Sequence, residues 1–257
     1  MHPTALSNGE IFFDTYVAER GAVTLIDLGS QDVNGSLRDV CPANVHYIGV
    51  DFAQAKNVDV VLTDPYALPF ETGSIDIVVS SSCFEHSEMF WLVFNEVLRV
   101  LKPSGLFYLN APSNGAFHRY PVDCWRFYPD CGNALVSWAK RCGFSPALLE
   151  SFTTRQHNDI WNDFVAVFVR DAEHAAEHPR RMMSSLNTFD NGFVSGATQI
   201  ANSNPFPEDI RNLVVVSNAY TASQNKLAEA EARLRAIEAP ASDAPRLPAQ
   251  AQYMPPL

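Results

Sequence analysis

Short apolar runs alternate with amphipathic stretches over the first 143 residues of the chain. The apolar runs predict five strands, at residues 23–28, 46–51, 59–63, 75–81 and 105–111. Residues 89–101 instead repeat apolar side chains at spacings of three and four, which predicts a helix that Pro103 and Gly105 should end. A second helix is expected near residues 130–142. Such alternation predicts a mainly parallel sheet with helices on both faces.

Two later apolar runs, at residues 147–154 and 163–170, are joined by a short polar connection that is typical of an antiparallel hairpin. Five parallel strands and this hairpin predict an α/β fold with a seven-stranded, mostly parallel sheet in residues 1–171. Residues 172–239 are more polar and predict a partly helical appendage. Residues 240–257 are rich in proline and alanine, which predicts a disordered tail.

The clearest element of the appendage is a helix over residues 220–238. Apolar side chains recur every seven residues at two positions of the helix, and these positions together form one apolar stripe, called the seam below. The first position holds Tyr220, Leu227 and Leu234, and the second holds Ala230 and Ile237. This pattern fits a helix that docks on its own domain, and it fits equally well a homodimer formed through the helix.

Composition narrows the classes of partner. The chain has 257 residues, 47% of them hydrophobic, and a formal net charge of -11, which disfavours nucleic acid because phosphate binding needs a basic face. No apolar run is long enough to span a membrane. The first residues lack the basic start and apolar core of a signal peptide, so a cytoplasmic location is expected.

The most informative stretch is residues 23–52, which combine a strand, a glycine turn and a second strand that ends in an acid. Asp27 lies near the end of the first strand, and Gly29 follows where the chain must turn. Asp51 ends the second strand, near the roughly 20-residue offset at which an acid reaches the ribose of a nucleotide. This order predicts a nucleotide-type pocket at the strand ends.

Four segments together resemble the class I S-adenosylmethionine-dependent methyltransferases, in the broad group that acts on small molecules and sugars. They are LIDLGS, IGVDF, VVLTDPYALPFETGSIDIVVSSSCFEHS and EVLRVLKPSGLFYLNAPS, within residues 23–113. The hairpin extends the likeness to about residue 170. The resemblance implies a Rossmann-like fold and S-adenosyl-L-methionine as cofactor.

The resemblance also implies a set of cofactor-binding residues. Asp27 would accept from the ammonium group, Asp51 would hold the ribose hydroxyls, and Asp64 would accept from the adenine amino group. Each acid has a plainer alternative as a cap, an exposed strand end or a turn former. The full implied set is Asp27, Gly29, Ser30, Asp51, Phe52, Asp64, Pro65, Tyr66, Ser81, Cys83 and His86.

The first motif departs from the glycine-rich form that is common in the family. Gln31 and Val33 occupy the later glycine positions, and Gly35 falls two residues beyond. Asn34 and Ser36 can cap the following helix. We expect an intact but reshaped pocket, and the alternative is a degenerate fold that has lost its cofactor.

The loop NAPSNGAFHRYPVDCWRFYPD, residues 110–130, is expected to cover the site and bind the methyl acceptor. His118 is the first candidate for the base that methyl transfer to a hydroxyl requires, and Asp123 is its orienter or an alternative base. Tyr120 is the third candidate catalytic residue. Asn114, Arg119 and Trp125 are the candidate substrate contacts. The alternative is that this loop only forms ion pairs and packs down on the fold.

Glu85 and His86, after the fourth strand, have either a structural or a catalytic role. His157, His174 and His178 show no metal-ligand spacing, and no metal is predicted. A nicotinamide-dependent oxidoreductase is disfavoured because G-x-G-x-x-G is absent.

These features predict an enzyme that methylates an oxygen of a small polar acceptor, such as a sugar or polysaccharide intermediate. The alternative is a catalytically inactive methyltransferase-like subunit that binds a partner through its C-terminal helix.

Overall fold

The computed structural model describes residues 1–156, 160–205 and 208–238. The predictions for His157 and for the tail, residues 240–257, lie outside these ranges. The chain divides into two compact units, Met1–Asp209 and Ile210–Leu257. Within the described residues, no helix combines the length and apolar character that crossing a bilayer requires.

The first unit is built on one eight-stranded sheet in the order β3-β2-β1-β4-β5-β7-β6-β8. Strands β1 to β5 pair in parallel, and the last three strands pair antiparallel. The strands are β1 Val23–Leu28, β2 Val45–Asp51, β3 Val60–Val61, β4 Ile75–Ser81, β5 Leu101–Pro112, β6 Ala147–Thr153, β7 Asp163–Val169 and β8 Asp190–Val194. The predicted α/β fold with a mostly parallel sheet and a terminal hairpin is confirmed.

The eighth strand corrects the predicted count of seven. β8 pairs with the outer edge of β6, and its sequence DNGFV has no apolar run that would mark a strand. Glu150 ties the preceding segment to the same edge. Its buried carboxylate accepts hydrogen bonds from the Tyr16 hydroxyl at 2.6 Å and from the backbone of Met182 and Met183 at 2.7 and 3.1 Å. The compact unit that contains β8 runs to Asp209.

The described residues of the first unit include the helices α1 Pro3–Tyr16, α2 Phe90–Val100 and α3 Cys131–Arg141. The helix α4, Glu208–Glu238, makes up the described part of the second unit. α2 and α3 pack on one face, where Phe94 contacts Phe107 and Phe168. α2 ends at Val100, one residue before its predicted end at residue 101. β5 begins at once, at Leu101 rather than at the predicted residue 105, and its first residues pair with β4 in an irregular register.

α1 covers the other face of the sheet. Phe12 is fully buried and lies 4.6 Å from the ring of Tyr108 on β5, centroid to centroid. The helix predicted after β1 is only the single 3-10 turn Leu37–Val40, which Ser36 caps by accepting from the Arg38 backbone at 3.1 Å. The predicted cap is present, but α1 provides most of the apolar cover on this side.

Replacing Phe12 with alanine tests this role of α1. Phe12→Ala should lower the free energy of unfolding by about 3–5 kcal/mol, because it leaves a cavity between α1 and β5. Glu10→Ala, at an exposed position of the same helix, should stay within about 0.5 kcal/mol of the parent. Urea denaturation of both variants measures the difference, and equal midpoints would contradict this account of the core.

Candidate active site

A cavity of about 740 Å³ opens at the C-terminal ends of β1, β2 and β4. The strand order reverses between β1 and β4, which is where ligands bind in open α/β sheets. Most of the predicted site residues line this cavity: Asp27, Gly29, Ser30, Asp51, Phe52, Pro65, Tyr66, Ser81, Cys83, His86, His118, Arg119 and Tyr120.

Gly29 makes the turn at the end of β1. Its φ is +82°, and a Cβ at this position would lie 2.6 Å from the Cβ of Cys83. Both the left-handed backbone and the close approach therefore require glycine. The Gly29 amide donates to the Val50 carbonyl at 2.9 Å, which keeps the turn against the end of β2.

The two missing glycines of the first motif are tolerated by the backbone. Neither Gln31 nor Val33 has a positive φ, whereas Gly35 has a φ of +110°. The Gly35 amide donates to Asp32 Oδ1 at 2.8 Å. The left-handed conformation thus lies at Gly35, so side chains at positions 31 and 33 cause no backbone strain.

Asp27 is buried at the floor of the cavity. The hydroxyl of Tyr47 donates to its Oδ2 at 2.5 Å, and the Arg38 guanidinium lies 4.6 Å from the centroid of the Tyr47 ring. Burial raises the pKa of Asp27 to about 7, against the lowering effect of the Tyr47 hydrogen bond. Any cationic group that reached this carboxylate would favour its ionised form.

Asp51 lies in the cavity wall at the end of β2. Its Oδ2 accepts from the Gln31 amide at 3.2 Å, and its Oδ1 accepts from the Ala53 amide at 3.3 Å. These two bonds leave acceptor capacity on both carboxylate oxygens, since each has more than one lone pair. The side chain is thus oriented and still able to bind hydroxyl groups.

Asp64 has the geometry of a turn-forming aspartate, which was the alternative to its predicted contact with adenine. The side chain is exposed, and its Oδ1 accepts from the Tyr66 amide at 2.9 Å. The structure does not place Asp64 in the cavity wall, although the neighbouring Pro65 and Tyr66 belong to it.

Two candidate substrate residues also lie outside the cavity lining. Asn114 is buried, donates to the Ile160 carbonyl at 3.1 Å and accepts from the Asn162 amide at 2.6 Å. Trp125 donates to the Ser87 carbonyl at 2.9 Å. In the structure both side chains pack and connect loops.

Asp123 orients His118 and is poorly suited to act as a base. Its carboxylate binds Arg126 through two contacts of 2.7 and 2.9 Å and accepts from the His118 amide at 2.7 Å. The hydrogen bonds from Arg126 hold the pKa of Asp123 at about 2. A carboxylate with so low a pKa stays ionised at neutral pH and is a weak proton acceptor.

The imidazole of His118 lies at the cavity wall with its Nδ1 turned away. Nδ1 lies 3.0 Å from the Ala116 carbonyl oxygen and 3.4 Å from Asp123 Oδ2. Both neighbours of Nδ1 are acceptors, so the proton belongs on Nδ1 and Nε2 keeps a free lone pair. The ring contacts Trp161 and His86, each with a centroid distance of 5.0 Å.

Glu85 and His86 belong to the 3-10 turn Phe84–His86, which lies beside His118. His86 Nδ1 lies 2.5 Å from the Val122 carbonyl oxygen. Glu85 is buried, and this burial raises the pKa of its carboxyl to about 8. Burial also raises the pKa of the Cys83 thiol, which keeps it neutral in the cavity wall.

Comparison with known proteins identifies this region. Residues 14–109 match the family model described as a methyltransferase domain. This match supports the predicted resemblance to the class I S-adenosylmethionine-dependent methyltransferases, and it includes β1 to β4 and most of β5.

Two curated relatives and one solved structure illustrate the similarity. An uncharacterized methyltransferase of Mycobacterium leprae (strain Br4923) is 32% identical over 113 residues, 40% of this chain and 42% of the relative. An uncharacterized methyltransferase of Mycolicibacterium vanbaalenii is 24% identical over 221 residues, 81% of each chain. The match thus spans less than half the length of the first relative and most of the second.

The solved structure is the 1,6-didemethyltoxoflavin-N1-methyltransferase of Burkholderia thailandensis, with bound 1,6-didemethyltoxoflavin and S-adenosylhomocysteine. It is 11% identical, covers 65% of this chain and 78% of its own, and superposes with a TM-score of 0.49.

Sequence reasoning missed Tyr47, the hydrogen-bond partner of Asp27 in the methyltransferase domain. The register offers a signal in retrospect, because Asp27 pairs with Gly49 and Leu25 pairs with Tyr47. Tyr47 lies two residues before Gly49 on the same strand, so its side chain points to the same face of the sheet as that of Asp27. The ion pair between Arg126 and Asp123 was expected only under the alternative in which the loop at residues 110–130 has a purely structural role.

The raised pKa of Asp27 makes stability depend on pH. The folded protein keeps this proton up to about pH 7, whereas the unfolded chain releases it near the ordinary aspartate pKa of 3.8. The free energy of unfolding should therefore fall as pH rises through this window. Asp27→Asn keeps an acceptor for Tyr47 and removes the charge, so relative to the parent it should gain on the order of 2–4 kcal/mol between pH 4.5 and 7.5.

Chemical denaturation of the ligand-free protein at several pH values checks this expectation. Asp64→Asn is the matched control, because that carboxylate is exposed. Parallel stability curves for Asp27→Asn and the parent protein would show that burial of Asp27 does not govern its ionisation.

Proposed function

We propose that this protein transfers a methyl group from S-adenosylmethionine to an oxygen of a small polar acceptor, with a sugar or polysaccharide intermediate as the favoured substrate. One observation carries the proposal: the buried acids Asp27 and Asp51 and the imidazole of His118 line the same cavity. The proposed reaction takes place in the cytoplasm, which stays a prediction from the sequence.

The residues of the cavity fit the parts of the cofactor. Asp27 is the acceptor for its ammonium group, because a cation there offsets the burial of the carboxylate. Asp51 binds the ribose hydroxyls, and Phe52, Pro65 and Tyr66 supply apolar contact for adenine. Ser30 and Ser81 also line the cavity, and their buried hydroxyl oxygens have no hydrogen-bond partner in the described residues.

The bound cofactor supplies an electrophilic methyl group on a sulfonium. His118 Nε2 would accept the proton of the acceptor hydroxyl as that oxygen takes the methyl group, and the cofactor would leave as S-adenosylhomocysteine. Asp123 holds the His118 loop and stabilises the imidazolium that forms. Positioning of the acceptor in line with the methyl group supplies the remaining rate enhancement.

The preference for a sugar rests on the surface of the loop. Phe117, Tyr120 and Tyr128 are exposed there, and the guanidinium of Arg119 donates to the Pro121 carbonyl at the cavity wall. Flat aromatic side chains stack on the apolar faces of pyranose rings, and guanidinium groups donate to hydroxyls. Tyr120 and Arg119 are therefore the proposed acceptor contacts.

We also propose that the chain forms a homodimer through α4. The seven-residue repeat extends beyond the predicted region, because Leu213 and Val216 precede Tyr220 in the same seam. The large apolar side chains of this seam are exposed: Leu213, Val216, Tyr220, Leu227, Leu234 and Ile237. About four heptads are enough for a stable coiled coil.

Two substitutions separate cofactor binding from catalysis. Asp51→Ala should weaken S-adenosylmethionine binding at least about tenfold, since it removes a hydrogen-bond acceptor for the ribose. His118→Ala should leave the dissociation constant within about twofold and lower turnover by about 10²- to 10⁴-fold, because it removes the base. Calorimetric titration gives the affinities, and a labelled-cofactor assay against a panel of sugars gives turnover.

Equal loss of binding in both variants would contradict this division of roles. If the parent protein fails to bind S-adenosylmethionine or S-adenosylhomocysteine at millimolar concentration, the enzyme proposal fails and the inactive-subunit alternative takes its place.

Leu227→Lys tests the homodimer, because it puts a charge into the centre of the seam. It should convert the dimer to a monomer at concentrations where the parent protein is dimeric, as measured by light scattering of the full chain. Ala232→Lys, on the face opposite the seam, should leave the mass unchanged. A monomeric parent protein would refute the proposal.

A further inference from the structure

Three ligand-bearing side chains converge at one wall of the cavity, and the proposed methyl transfer uses only one of them. Glu85, His86 and His118 each offer one ligand atom, and these atoms all lie within 4.8 Å of one another. We propose that Glu85, His86 and His118 bind a divalent transition-metal ion. The site stands on its own geometry, and only its effect on turnover rests on the proposed function.

The two imidazoles are held in the tautomer that a metal needs. His86 Nδ1 lies 2.5 Å from the Val122 carbonyl oxygen, and His118 Nδ1 lies 3.0 Å from the Ala116 carbonyl oxygen. A carbonyl oxygen only accepts, so each Nδ1 carries the hydrogen and each Nε2 keeps its lone pair. A hydrogen bond from the remote ring nitrogen to a carbonyl is the usual way in which metal-binding histidines are oriented.

Glu85 supplies an independent observation. Its side chain is 1% exposed, and its Oε2 is a buried oxygen without a hydrogen-bond partner among the described residues. Its other oxygen, Oε1, lies 3.7 Å from His86 Nε2. A buried carboxyl oxygen without a partner is costly, and a bound cation would satisfy it.

The backbone keeps the ligands together although they are distant in sequence. The Glu85 carbonyl accepts from the amides of Cys124 and Trp125 at 2.8 and 3.2 Å. These bonds hold the loop that carries His118 against the turn that carries Glu85 and His86. The rings of the two histidines stand nearly perpendicular, at 87°, with centroids 5.0 Å apart.

The donor set selects the kind of ion. Two imidazole nitrogens and one carboxylate favour Zn²⁺, Co²⁺, Mn²⁺ or Fe²⁺ over Mg²⁺ and Ca²⁺, which prefer oxygen ligands. Three protein ligands leave at least one coordination position open. His86 and His118 both line the cavity, so the open position lies on the cavity side.

The ion and the proposed proton transfer compete for the same lone pair. An imidazole that coordinates through Nε2 cannot also accept a proton there. Zn²⁺ should therefore suppress methyl transfer by His118, and removal of the ion by a chelator should restore it.

Titration of the metal-free full-length protein with Co²⁺, followed by visible absorption, and with Zn²⁺, followed by calorimetry, tests the site. We expect one ion per chain. Glu85→Gln and His118→Gln should each weaken binding at least about tenfold. His174→Gln is the matched control, because that histidine pairs with Glu177 outside the cluster. If Glu85→Gln fails to fold because Glu85 is buried, His118→Gln still tests the site, because His118 lies outside the core.

Absence of stoichiometric binding, or binding that His118→Gln leaves unchanged, would overturn the metal site. Titration of the same metal-free protein with S-adenosylmethionine distinguishes failure of the metal site from failure of the proposed function. The cofactor can bind when the ion does not, and the ion can bind when the cofactor does not. Stimulation of methyl transfer by Zn²⁺ would retain the site and overturn His118 as the base.

Discussion

The contact between Gly29 and Cys83 is the constraint on which the cavity depends. The ends of β1 and β4 approach so closely there that a Cβ on residue 29 would lie 2.6 Å from the Cβ of Cys83. The turn that this contact permits directs the following backbone across the end of β2, where the Gln31 amide donates to Asp51 at 3.2 Å. Gly29 thereby determines the course of the backbone along the cavity and the orientation of the Asp51 side chain.

This arrangement explains how the domain tolerates a reduced glycine motif. Glycine is needed where φ is positive or where a second backbone lies too close for a Cβ. In this chain Gly29 and Gly35 have positive φ. Gln31 contributes through its backbone amide, so its side chain is not constrained by the turn. The loss of two motif glycines is therefore compatible with an intact cavity.

Sequence reasoning succeeded where the signal is local and periodic. β1 and β4 begin and end where they were predicted, and the residues at their C-terminal ends reach the cavity because parallel strands bring these ends to one edge. It failed for β8, which lacks an apolar run and exists because β6 offers an unpaired edge. Asp64, Asn114 and Trp125 lie outside the cavity wall because hydrogen bonds orient their side chains elsewhere, within the turn for Asp64 and to sequence-distant loops for the other two.

The cavity has two halves with different supports. The half that fits a nucleotide is built from strand ends, whose positions follow from the sheet. The other half is the loop that carries His118, which is held to Glu85 by backbone hydrogen bonds and internally by the pair of Asp123 and Arg126. Substitutions at exposed positions of this loop can alter the proposed acceptor contacts without disturbing the strand ends. If the proposed roles hold, a change of acceptor requires less structural change in this fold than a change of cofactor.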